Sequence, residues 1–151
     1  MYLDIALSYD PAARQCDLVY DGRRLVLDLT PATPLLASIG GDRRAEADDT
    51  LPDGTTEGSL QAGFNARRGW AGDSLGGGQR AGSRLWLLER AKQDEATRQA
   101  AEDYAVQAAG WIGVREGAPV ACMAAWAARN VLGLRVAVGA STLRLQVPVG
   151  A

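Results

Sequence analysis

Two runs near the C-terminus decide most of what this chain can become. Leu132, Leu134, Val136 and Val138 occupy alternate positions, and so do Leu143, Leu145, Val147 and Val149, with Gly139-Ala140-Ser141 between them. Alternation at period two gives each strand one apolar face, and a short glycine-containing link joins antiparallel neighbours. A hairpin over Leu132 to Val138 and Leu143 to Val149 is therefore expected, and its apolar face needs cover. Val120 to Ala127 reads as a third strand. Its alanine-rich ACMAAWAAR also has helical propensity, and the strands around it favour the extended form.

The natural cover lies upstream. Ala101, Tyr104, Ala105, Ala108, Trp111 and Ile112 follow the i, i+3, i+4, i+7 spacing of one helical stripe. Asp94 caps that helix, Glu95 complements its dipole, Asp94 and Arg98 stand at ion-pair spacing, and Gly110 and Gly113 bracket its end. Before it, Ser83 is placed to cap a short helix in RLWLLERAKQ, and Leu35 to Ile39 supplies one or two helical turns closed by Gly40-Gly41. At the N-terminus, Leu3, Ile5, Leu7 and Tyr9 alternate. A second strand over Cys16 to Tyr20, an Asp21-Gly22 turn, and Leu25, Leu27 and Leu29 complete a small meander.

Strands, helices and strands again predict an α+β fold: an antiparallel sheet with two main helices packed on one face. A long glycine-rich loop, Asp42 to Gly82, separates the N-terminal hairpin from the helices. A loop of that length in a compact domain is usually functional or ordered against a partner. The 151 residues form one domain, large enough to need neither disulfide nor metal. Cys16 and Cys122, far apart and without CxxC spacing, read as buried or half-buried thiols in a reducing compartment.

The chain has no histidine, which removes Ser-His-Asp and Cys-His catalysis and His-ligated zinc. A net charge of −2 gives no drive toward nucleic acid or an anionic membrane. The N-terminus carries no secretion signal and no run is long enough to span a bilayer, so the chain is expected in the cytoplasm or in something assembled there. Gly77 and Gly82 have Walker spacing, but Ser83-Arg84 follows where lysine is required, and no strand precedes. Paired carboxylates among Asp73, Glu89, Asp94, Glu95, Glu102 and Asp103 would suit a peptidoglycan-cleaving enzyme. Most of these acids sit on polar helix faces, where capping and salt bridging are the ordinary use. Trp111 and Trp126 fit apolar faces and read as core. Trp70 does not: in RRGWAGD it stands on a polar loop with the residue types of an interaction hot spot.

Taken in order, DRRA at 42–45, LPDG at 51–54, RRGWAGD at 67–73, GSRLWLLERAKQ at 82–93 and AEDYAVQAAGWI at 101–112 resemble the small baseplate wedge protein family of Mu-like contractile-tailed phages. The opening LDIALSYD also fits. More distantly, the chain is similar to the lysozyme-labelled baseplate wedge family and to the TssE subunit of type VI secretion baseplates. The resemblance implies a structural subunit without cofactor, not an enzyme. It would be present in several copies in a six-fold virion baseplate, bind a larger wedge protein around the tail hub and spike, and help to initiate the sheath. Arg67, Arg68, Gly69, Trp70, Gly72, Asp73, Gly82, Ser83, Arg84, Leu85, Trp86 and Leu87 would form the frame and the wedge contacts. The distant relatives carry Glu-Pro-Arg just after the long helix; here GWIGVREG follows, and Arg115 is the candidate for that place. Leu143, Leu145 and Val147 lie on the strand that a sheath strand would complete, and Pro148, lacking a donor, suits an edge.

Overall fold

The computed structural model describes residues 2–10, 12–13, 15–54, 66–75 and 80–150. Glycines 76–78, read from the sequence as slack, lie outside the described residues. In chain order the elements are β1 (Asp4–Ile5), β2 (Leu7–Asp10), β3 (Gln15–Leu18), β4 (Leu27–Asp28), helix α1 (Ala32–Gly40), 3-10 helices over Ala71–Leu75 and Leu85–Arg90, helix α2 (Glu95–Glu116), and β5 (Val120–Ala128), β6 (Val131–Val138) and β7 (Ser141–Pro148).

The C-terminal strands form an antiparallel sheet in the order β5-β6-β7, as their alternation requires. Val138 pairs with Ser141 across a two-residue turn whose first position, Gly139, has a φ of 55°. The strand reading of ACMAAWAAR holds. Leu132, Leu134, Val136 and Val138 are buried on the inner face, flanked by Cys122, Trp126, Leu143, Leu145 and Val147, which are half-buried. Helix α2 lies on this face through Ala101, Ala105, Ala108, Ala109 and Ile112. The alanines let the helix sit close, and Leu35 and Ile39 of α1 close the same core from the side. Ala45, Leu51, Trp86 and Leu87 form a second, smaller core beneath the long loop.

Several local expectations are corrected. Helix α2 runs through Gly110 and Gly113 to Glu116, where Gly117 at φ 61° provides the left-handed cap. A glycine inside a helix costs only about 1 kcal/mol, less than burial of the adjoining apolar turn returns. Asp94 does cap the helix, accepting the Thr97 N–H at 2.8 Å. With that carboxylate engaged, Arg98 pairs with Glu95 and Glu102 instead. Ser83 caps nothing: it is buried and its hydroxyl donates to the Ile39 carbonyl at 2.7 Å. The segment after it is a 3-10 helix beginning at Leu85. Cys16 is exposed; Cys122 is half-buried, and burial and then Glu102 push its thiol up to about 11.

The N-terminal strand also departs from its alternation. Leu3 and Ile5 are exposed, and Tyr2 is buried instead. The strand changes partner at Ala6, whose N–H donates to Val26 and whose carbonyl accepts from Val19. β1 consequently pairs with β4 and β2 with β3, giving two short sheets where one meander was expected.

Candidate protein-interaction site

The loop carrying RRGWAGD is fastened at its base. Arg43 and Ser83 exchange backbone hydrogen bonds with each other's neighbourhood, Arg43 N–H to Ser83 O and Ser83 N–H to Gly41 O, both at 2.8 Å. This parallel bridge clips together the two ends of the segment between Asp42 and Ser83. Gly82 makes the clip possible. Its φ is 86°, and an added Cβ would lie 2.6 Å from the Gly41 carbonyl oxygen.

Within the loop, Arg67 and Arg68 face inward. The Arg67 guanidinium donates to the carbonyls of Glu46 and Ala47. Arg68 has a left-handed φ of 45°, and its guanidinium bridges Asp42 at 2.9 Å and Glu89 at 2.7 Å while lying 4.6 Å above the Trp86 ring. Burial by itself disfavours the Arg68 charge; the bonds to Glu89 and Asp42 outweigh it and raise the pKa. Gly69 continues the left-handed turn at φ 102°, its Cα packed against Arg44. Two consecutive left-handed residues swing the chain outward and leave Trp70 65% exposed.

Trp70 packs on its own loop. A Cβ on Gly72 would come within 2.6 Å of three carbons at the far end of the indole, so that end of the ring rests against this glycine. Asp73 donates its N–H to the Trp70 carbonyl at 3.1 Å and accepts from Ala81 N–H at 2.9 Å. The indole forms one wall of a groove of about 740 Å³ shared with Tyr2, Arg43, Asp73, Arg80, Trp111 and Arg115. Arg43 Nε and Asp73 Oδ2 are buried there without a hydrogen-bond partner among the described residues.

Trp70, Gly72, Asp73 and Arg115 are thus brought together, and Arg67, Arg68 and Gly69 stand behind them as support. Arg115 stacks 4.5 Å above the Tyr2 ring at the far side of the groove. Ser83, Arg84 and Trp86 belong to the frame. Trp86 is buried and donates its Nε1 proton to the Arg43 carbonyl at 2.8 Å. Arg84 grips both oxygens of Asp49 at 2.9 and 3.0 Å and covers the Tyr104 ring at 4.6 Å. Trp111, expected in the core, is 43% exposed at the groove and donates its Nε1 proton to Ser38. Helical spacing identifies the stripe but not its margin, where Trp111 falls. Tyr2 and Arg80 had no signal in the sequence, because only folding brings them near Trp70.

β7 contributes in a different way. Leu143, Leu145 and Val147 turn their side chains toward the core. Because Val138 and Ser141 close a two-residue turn, the outward backbone groups belong to Thr142, Arg144, Gln146 and Pro148. The Tyr9 hydroxyl already occupies Gln146, donating to its carbonyl at 3.3 Å and accepting its N–H at 3.4 Å. Free donors on this edge therefore come from Thr142 and Arg144.

Four of the acids weighed for catalysis have structural partners. Glu89 binds Arg68, Asp94 caps α2, Glu95 and Glu102 hold Arg98, and Glu102 also accepts the Ala124 N–H at 2.8 Å. Among the described residues, no group of three or more Cys, Asp or Glu is placed to hold a metal ion, and no helix is long and apolar enough to cross a membrane.

Sequence comparison adds a family. The profile described as phage protein GP46 matches residues 31–143. The baseplate protein gp46 of Escherichia phage Mu is 40% identical over 96 residues, 64% of this chain and 59% of that protein. The Mu-like prophage FluMu protein gp46 of Haemophilus influenzae is 32% identical over 109 residues, 72% of this chain and 65% of that protein. The chain spans less than two thirds of either relative's length. No solved structure matches it. The match begins after β4, so Tyr2 and Tyr9 reach the groove and the β7 edge from outside the matched region.

Proposed function

Because the chain belongs to the phage GP46 family, we propose that it is a structural subunit of a contractile tail baseplate that docks a larger wedge protein in the Trp70 groove. The observation that carries this reading is the exposed indole packed over Gly72 at the groove. A tryptophan that packs its ring end over Gly72 and lines a groove with arginines and a second tryptophan presents a large apolar surface made of the residue types that dominate interaction hot spots. Assembly of the wedge protein with several copies around the hub and spike would place the subunit in the virion tail, after folding in the host cytoplasm.

Sheath initiation is assigned to β7. Thr142 and Arg144 offer a short ladder to an incoming sheath strand, and extension past Gln146 requires Tyr9 to give way. Removing the strand is a poor test, since Val149 and its neighbours are part of the core. Thr142→Pro, which removes one outward donor, is the sharper variant.

Co-expression with the larger wedge protein of the same phage tests the groove. Wild type should co-purify in a stable complex; Trp70→Ala should lose at least about tenfold in affinity, as hot-spot tryptophans do. Gly72→Ala should weaken binding as well, by lifting the indole, with little change in melting temperature. Wild-type complex yields from both variants would sink the assignment.

A further inference from the structure

The outer face of the C-terminal sheet, turned away from α2, is left uncovered by the described residues, and along β5 its composition does not suit water. Strand β5 has no polar or charged residue outside Cys122 in its nine positions. Antiparallel strands with one solvated face alternate apolar with polar; strands apolar on both faces are covered on both. Yet Ala121, Met123 and Ala125 lie on the outer face exposed, Met123 by 68%.

Register lays the face out in three rows: Ala121, Ala137 and Thr142; Met123, Arg135 and Arg144; Ala125, Gly133 and Gln146. Two of its features run against the stability of the free chain. Arg135 and Arg144 are direct cross-strand neighbours at a non-hydrogen-bonded position, where side chains approach most closely, and like charges so placed repel. Neither has an acidic partner among the described residues. Beside them, Gly133 floors a hollow of about 420 Å³. The fold has no need of glycine there: its φ is not left-handed, and an added Cβ would meet the Ala125 carbonyl oxygen at 3.5 Å and the Ala127 Cβ at 3.6 Å, ordinary contacts. A glycine that the backbone does not require weakens its strand and commonly marks close approach by another element.

We infer that this face docks an acidic amphipathic helix of a partner, an apolar side chain filling the hollow over Gly133 and a carboxylate resting between Arg135 and Arg144. The spacing fits. Adjacent rows are two residues apart along the strand, about 6.6 Å, close to the rise of about 6 Å between helix positions i and i+4. An added strand fits less well. A strand pairs at a sheet edge and would leave this face bare, and each edge is already partly engaged, Gln146 by Tyr9 and Ala124 by Glu102 and Arg98. This surface is separate from the Trp70 groove and does not depend on the baseplate assignment.

Two synthetic helical peptides test it with the purified full chain. They share one leucine stripe and carry either glutamate or lysine four residues from the central leucine. The glutamate peptide should bind at least about tenfold tighter than its lysine twin, and Arg135→Glu with Arg144→Glu should invert that preference. Gly133→Val should keep or raise the melting temperature while weakening the glutamate peptide at least about tenfold, because it fills the hollow. Equal binding of the two peptides, or binding of neither, overturns the inference. So does a wild-type dimer in sedimentation that Gly133→Val dissociates, which would give the face to a second copy of this chain.

Discussion

At the scale of single residues, the molecule depends on side chains that are absent as much as on those present. Gly69, Gly72 and Gly82 each leave a space that another part of the loop occupies, but with different consequences. A methyl on Gly72 meets the far end of a flexible indole; a methyl on Gly82 meets backbone on three sides. Gly82→Ala should therefore cost about 2 kcal/mol or more, read as a lower denaturant midpoint with an unchanged slope. Unchanged stability would mean that the Asp42/Ser83 clip is not under the constraint described. Asp28 acts through bonds it accepts. It accepts from Thr30 N–H and hydroxyl and from Thr33 N–H, joining β4 to the start of α1, while the Thr33 hydroxyl accepts the Leu7 N–H at 3.1 Å. Burial alone would raise its pKa; the bonds from Thr30 and Thr33 outweigh that and hold it at about 2. A carboxyl with a lowered folded pKa stabilises fully above its unfolded value of about 3.9 and loses that contribution as pH falls toward about 2. Asp28→Asn should be less stable at neutral pH and should flatten the melting-temperature decline between these limits. A decline as steep as wild type would assign it to other acids.

The elements show how edges are controlled. Both free edges of the β5-β6-β7 sheet carry one plug each: a tyrosine from β2 on β7, and a carboxylate–guanidinium pair from α2 on β5. Plugged edges resist unwanted pairing between copies. Tyr9→Phe should cost about 1 kcal/mol, the net worth of a typical hydrogen bond, and should increase self-association in sedimentation at high concentration. A monomer as persistent as wild type would show that Tyr9 does not guard the edge. Element types were legible in the sequence wherever the period was sustained, as in β6, β7 and α2. They were not legible in β1 and β2, because alternation cannot show that a strand changes partner midway. Spacing also ended α2 at its glycines, because the burial that carries the helix past them comes from the packing of Val120 and α1, which periodicity within the helix does not record.

For the whole molecule, one core sets the spacing and everything else is hung on it. Four alanines of α2 fix its distance from the sheet, so Ala105→Leu should destabilise by about 1 to 3 kcal/mol through overpacking, measured by thermal melting; a neutral result would mean a loose helix–sheet interface. The second core under the loop carries Trp86, Arg84 and Tyr104, which explains how a long irregular segment presents Trp70 in a defined pose. By itself the sequence determined the α+β class, the C-terminal hairpin and third strand, the Asp94 cap, and Trp70 as the residue out of keeping with its surroundings. All of these follow from short-range periodicity and local chemistry, which the chain carries within a few neighbours. Tertiary structure alone decided which arginines support and which face outward, that Trp111 stands at the groove rather than in the core, that Tyr2 and Tyr9 reach across the molecule, and that the outer sheet face is bare. Those are matters of distance between residues far apart in the chain, and packing, not spacing, fixes them.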